Sequence, residues 1–284
     1  MRRRALIGAL AFAGLAAAGE RPSLSQLYGE HRWIDLREAL KDQAPPALYK
    51  GAVAFAFNDT KAAEEYLNQA IKLAPNSNDA KDAHAILAKI DVRAGRYHET
   101  VQQLDEMLRL KPGSSDVENT RAIFAAWNEH GDQSIESSRP SEIRADVRKD
   151  GVKLPVSIHG KTVHWLLDTG FNFSLMSESE ARSLGVAIDK SSGSLADSAG
   201  GTTSTRTAVA DELTIGDVHL RNVAFLILPD AQEPMSDWQP GERGVIGLPA
   251  IIALQSFSWT SDGRFKIGSK SVLSSSAPIE SRII

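Results

Sequence analysis

The 284-residue sequence contains no cysteine. That one absence excludes disulfides, thiol nucleophiles and cysteine-ligated zinc. It also lacks a strong charge of either sign: the formal net charge is -4 and the pI about 6.0, so nothing draws it electrostatically to nucleic acid. No GxSxG elbow and no GxxxxGK loop occurs, which leaves serine-hydrolase and nucleotide-binding readings without an anchor. The histidines (His31, His84, His98, His130, His159, His164 and His219) are scattered, with no HxxxH or HExxH spacing, so no metal site and no cofactor is expected. A long apolar run is missing too. The stretch Ala5–Ala18 falls short of the roughly 20 residues that a membrane-spanning helix needs.

What is present begins with that same stretch. Arg2-Arg3-Arg4, the apolar run and then Ala16-Ala17-Ala18 have the order of a cleavable secretory signal over residues 1–19, implying a periplasmic or secreted bacterial protein. The whole chain is 42% hydrophobic and 24% charged, an ordinary globular composition, and is long enough for one large or two ordinary domains.

Residues 23–130 have a helical period. In KAAEEYLNQAIKLAP the apolar positions Ala63, Leu67, Ala70 and Ile71 recur at helical spacing and Pro75 closes the run. In GRYHETVQQLDEMLRLKP, Val101, Leu104 and Leu108 repeat the pattern before Pro112, 37 positions after Pro75. Each run follows a further helical segment, LYKGAVAFAF or DAHAILAKIDVRAG. Period and texture resemble tetratricopeptide repeats, with HRWIDLREAL as a half-repeat cap. The resemblance implies a module of two to three repeats that docks a protein partner or positions its neighbour.

Residues 131–145, including the polar run GDQSIESSRPS, have the composition of a linker. Residues 146–270 then carry short β-type segments separated by glycine-bearing turns, interrupted by one helix in SESEARSLG. Ser177 and Glu180 have capping-box spacing there, and Gly185 suits the stop. DAQEPMSDWQPGERG is expected to be a long surface loop, and residues 271–284 a tail. The fold class expected is α+β multidomain: an N-terminal helical repeat region followed by an all-β barrel.

One tripeptide raises the chemical question. The strand VHWLL runs directly into Asp168-Thr169-Gly170. Alone, this is acceptable turn chemistry. Its surroundings are more specific: the segment FNFSLMS, the capped helix, the hairpin LADSAGGTTSTRTAV and then Val245-Ile246-Gly247 follow in order. The ordered set resembles the retropepsin-like aspartic peptidases, in particular bacterial members with a signal peptide and a short repeat region, over about residues 146–270.

That resemblance implies an all-β acid-protease barrel in which Asp168 is the catalytic carboxylate. Thr169 would form hydrogen bonds between subunits, and Gly170 would allow the tight turn. Ile246 and Gly247 would pack behind the loop, and Gly200 and Gly201 would lie at or near the tip of a flap. The substrate implied is an extended polypeptide. Such a site needs two acids, one as base and one as proton donor. Only one motif is present: Asp197 lacks the following glycine, and Asp262-Gly263 is an expected hairpin-turn pair. The second acid would therefore come from a second copy in a two-fold homodimer. Phe171 departs from the small residue usual after the motif. The alternative is a catalytically silent binding module.

Overall fold

The structure, a computed structural model, describes residues 22–41, 45–149, 151–196 and 202–268. The expected signal (1–19) and tail (271–284) lie outside them. Two compact units divide at Pro45 and Pro46. The first contains α1 (Leu24–Gly29), capped by Ser23, and α2 (Trp33–Ala39). The helical stretch 23–130 is thus not one body.

The second unit opens with α3 (Ala47–Ala56), α4 (Thr60–Leu73), α5 (Asn78–Arg93), α6 (Tyr97–Leu110) and α7 (Ser115–Asn128). Local chemistry sets the boundaries. The Asp59 carboxylate accepts the Ala62 N–H at 3.1 Å to start α4, and the Ser77 hydroxyl accepts that of Ala80 at 3.1 Å to start α5. Ala63, Leu67 and Ala70 form the buried stripe of α4. α3 crosses close to it because Gly51 has no side chain; a Cβ there would lie 2.6 Å from the Leu67 Cγ.

Strands follow: β1 (Ser134–Ser138), β2 (Ser141–Arg144), β3 (Asp146–Arg148), β4 (Gly151–Ile158), β5 (Lys161–Leu167) and β6 (Ser174–Ser177). After α8 (Glu178–Leu184) come β7 (Ile188–Ala196), β8 (Thr202–Ile215), β9 (Val218–Leu228) and β10 (Gly244–Ile246). α9 (Leu248–Ala253), β11 (Phe257–Trp259) and β12 (Arg264–Ile267) complete the chain. The sheet runs β9-β6-β10-β5-β4-β8 and closes on itself, because β8 also pairs with β9. The observed architecture is therefore a helical region followed by a β-barrel, α+β overall. Alternation fills the barrel: Leu154, Val156 and Ile158 on β4 are fully buried inside with Trp165 and Phe225.

A second core joins helices to barrel. Tyr97, Phe124 and Trp127 pack on Leu175, Leu226 and Val245. The Trp127 indole N–H donates to the Phe225 carbonyl at 3.3 Å, and the Tyr97 hydroxyl accepts the Ala224 N–H at 3.2 Å. Residues 131–145 correct the linker expectation: they are β-structure. β1 pairs antiparallel with β9, and β2 with β12. Every residue of β1 is exposed, so backbone pairing holds it rather than apolar burial, and its polar sequence carries no strand signal. Next to it the Gln133 N–H donates to the Gly95 carbonyl at 2.9 Å, and its side-chain amide to the Pro249 carbonyl at 3.0 Å. The 229–243 loop is also anchored, with Met235 fully buried.

Two outcomes follow. Trp127→Ala should cost about 3–5 kcal/mol, as removal of a buried large aromatic does. Helical and β signals should still melt together in the second unit; separate melting by circular dichroism would contradict a shared core. Asp91, 4% exposed, is the second test. Burial raises its carboxyl to about 6, against the opposing pull of Arg96. A raised acid stabilises the fold fully below its ordinary value and loses that contribution as pH rises through the folded value. The melting temperature of wild type minus that of Asp91→Asn should fall between about pH 4 and about pH 7. A constant difference would show that the carboxyl is not held up.

Candidate active site

β10 lies between β5 and β6, parallel to the first (Ile246 opposite Leu167) and antiparallel to the second (Val245 opposite Leu175). The chain leaving β5 for β6, residues 168–173, must therefore pass over the end of β10. Three hydrogen bonds fasten it there. The Asp168 N–H donates to the Ile246 carbonyl at 3.1 Å, and the Leu248 N–H to the Phe171 carbonyl at 2.9 Å. The Gly247 N–H donates to the Ser174 hydroxyl at 3.1 Å.

The crossing explains Gly247. A Cβ at this position would stand 2.2 Å from the Phe173 carbonyl oxygen, a backbone atom that cannot swing aside. Its φ of -95° is open to any residue, so space, not conformation, demands glycine. Ile246 beneath it is fully buried in the barrel core. The space beside Gly244 is likewise occupied, by the Trp165 ring, 2.3 Å from where a Cβ would be.

This support presents Asp168. The residue is half-buried, and its Oδ1 accepts the Gly170 N–H at 2.8 Å. Among the described residues no cation pairs with it. Thr169 and Gly170 are exposed, and the Thr169 hydroxyl has no partner among the described residues. Phe171 is 39% exposed. Phe173 turns the other way, its ring 5.8 Å from Phe124 and 5.4 Å from Trp127. The structure thus brings Asp168, Thr169, Gly170, Ile246 and Gly247 together at one barrel end. Gly200 and Gly201 lie outside the described residues. β7 and β8 are paired as a hairpin up to Ala196 opposite Thr202.

Several other acids of the barrel have structural partners. Glu180 is 3% exposed and accepts the Trp165 indole N–H at 3.2 Å and the Gly241 N–H at 3.1 Å. Its role goes beyond the capping expected of it, since it ties α8 to β5. The hydrogen bond from Lys153 holds Glu242 below the usual carboxylate range, against the opposing effect of burial. Asp262 sits in the β11–β12 turn, as expected, and accepts the Arg264 Nε–H at 3.0 Å. Among the described residues no three acids or histidines gather as metal ligands. Ser174 was not foreseen: a serine at a strand start is common, and its bond to Gly247 is set only by the crossing.

Residues 154–250 match the family model described as "Aspartyl protease", about a third of the chain, spanning both Asp168-Thr169-Gly170 and Val245-Ile246-Gly247. Among solved structures, a retropepsin-like aspartic protease from Rickettsia conorii is similar over 46% of this chain and 93% of its own, with 12% identity and a TM-score of 0.34. A likeness that distant supports no argument about function. No curated protein matches the chain.

Gly247→Ala should destabilise the β region by about 1–3 kcal/mol, the range for forcing a methyl into occupied space. Thermal denaturation measures it. An unchanged melting temperature would mean that the loop does not cross where it is placed.

Proposed function

We propose that the chain is an exported aspartic endopeptidase that works as a homodimer, with one Asp168 from each copy. The observation that carries this reading is a half-buried carboxyl without a cation, fixed over Gly247, inside the segment that matches the aspartyl protease family. Export is supported by Arg2-Arg3-Arg4 and the apolar run after it. The helix pairs α3–α4 and α5–α6 support the repeat-like reading of the helical region, as a module that positions the barrel or docks a protein.

The chemistry follows from pairing. On a two-fold axis the two loops would face each other and the two carboxyl groups would share one site. Like charges about 3 Å apart cannot both ionise cheaply, so the pair keeps one proton, as in aspartic peptidases generally. The ionised carboxylate takes a proton from the bound water as its oxygen attacks the amide carbon, while the protonated one donates to the carbonyl oxygen. The first carboxyl then passes its proton to the amide nitrogen, and the C–N bond breaks as the tetrahedral diol collapses to a carboxylic acid. In that collapse one diol hydroxyl returns its proton to the second carboxylate, so the pair again holds one proton. The Thr169 hydroxyl, without a partner among the described residues, is available to bond the opposite loop. An extended substrate would add its backbone to the β7–β8 hairpin as a strand. No metal or cofactor has a place in this scheme.

A second reading has its own observation. Phe171, 39% exposed beside Asp168, is bulky where the family has a small residue, and favours a silent clamp that binds peptide without turnover.

Hydrolysis of reduced, alkylated casein at mildly acidic pH separates the two. Asp168→Asn should lower the rate by a factor of about 10^3 or more while leaving the melting temperature near that of wild type. Cleavage that survives the substitution would defeat the peptidase reading. Peptide binding by both proteins, with turnover by neither, would establish the clamp.

A further inference from the structure

A cavity of about 500 Å³ opens between α3, α5, α6 and α7 and the loop that carries Asp168. Phe55, Val92, Leu104, Met107, Phe124 and Phe173 give it an apolar wall. Asn172, four positions after Asp168, lines it as well, so the cavity and the candidate active site share one loop.

Its charged groups are unusual. The Arg93 guanidinium lies over the Phe55 ring, 4.5 Å from its centroid. Burial pushes its pKa below the ordinary value, and among the described residues no carboxylate pairs with it. Lys89 lines the same space, also without an acidic partner there. Asp116 is the one acid in the lining, and it makes no ion pair with either cation. A guanidinium partly stripped of water and left unpaired gains from any carboxylate brought to it, especially a planar, two-point one.

We propose that this cavity is a substrate-anchoring subsite, and that its occupant is a segment of extended polypeptide with an apolar side chain followed by an acidic one. The apolar side chain fills the wall between Val92 and Phe173, and the acidic one pairs with Arg93. The proposal rests on the peptidase reading for the identity of the occupant as substrate. Its physical content is a specificity: cleavage sites are chosen partly by what lies against the helices, several residues from the bond that breaks. The helices would then act in recognition as well as in support.

The test measures binding apart from turnover. Full-length Asp168→Asn protein is titrated against fluorescein-labelled, glycine- and serine-rich decapeptides containing Phe-Glu, Phe-Gln or Gly-Glu, read by fluorescence anisotropy. The Phe-Glu peptide should bind about tenfold or more tightly than Phe-Gln, the loss expected when a charge-assisted hydrogen bond is removed. Gly-Glu should also be weaker than Phe-Glu. In an Arg93→Glu background the order should invert, with a Phe-Lys peptide preferred over Phe-Glu. Equal binding of Phe-Glu and Phe-Gln by protein that keeps Arg93 would overturn the proposal without any appeal to a folded variant, as would absence of binding. Wild-type protein that binds with this preference yet cleaves nothing would leave the subsite standing and remove the peptidase.

Discussion

The structure depends on one close approach: the loop after β5 passes over the end of β10 and touches backbone at Gly247. Strand order makes the crossing unavoidable, because β10 is inserted between β5 and β6. No side chain at residue 247 could fit under the Phe173 carbonyl, so the two loops lie in direct backbone contact. Hydrogen bonds from Asp168, Gly247 and Leu248 then fasten the loop that carries the acid. Rigid support of this kind is what a group needs if its work depends on sub-ångström placement.

The helices extend that support. Phe173, five residues after Asp168, leans on Phe124 and Trp127 of α7, while Trp127 also bonds the β9 backbone. α7 packs against β7 and β8, the two strands of the hairpin. His130, just past its end, lies 3.5 Å from Asp189 of β7. One helix therefore touches both the loop that holds the acid and the base of the hairpin. This physical continuity packs the helices, the Asp168 loop and the base of the hairpin within one unit.

The placement of much of the candidate site is legible in sequence because its residues are demanded locally. Asp168-Thr169-Gly170 after an apolar strand, and Val245-Ile246-Gly247 later, are short patterns whose geometry is written into neighbouring residues. So is α8: Ser177 accepts the Glu180 N–H at 3.2 Å, and Gly185 takes the left-handed φ of 76° that a helix stop favours. What stayed hidden depends on distant partners. β1 is wholly exposed and becomes a strand only through β9. α9 is short and apolar throughout, LPAIIA, so it shows no helical alternation. The buried faces of Met235 and Trp127 answer to a second core that no single segment reveals. The division at Pro45–Pro46 interrupts a helical texture that is continuous in sequence.

The central claim is that Asp168 of one molecule is half of a site completed by another. Specific activity against protein concentration, with sedimentation equilibrium on the same samples, tests it most directly. Activity per molecule should rise on concentration in step with the dimer fraction and vanish in the dilute, monomeric limit. Constant activity per molecule from a protein that sediments as a monomer throughout would contradict the account.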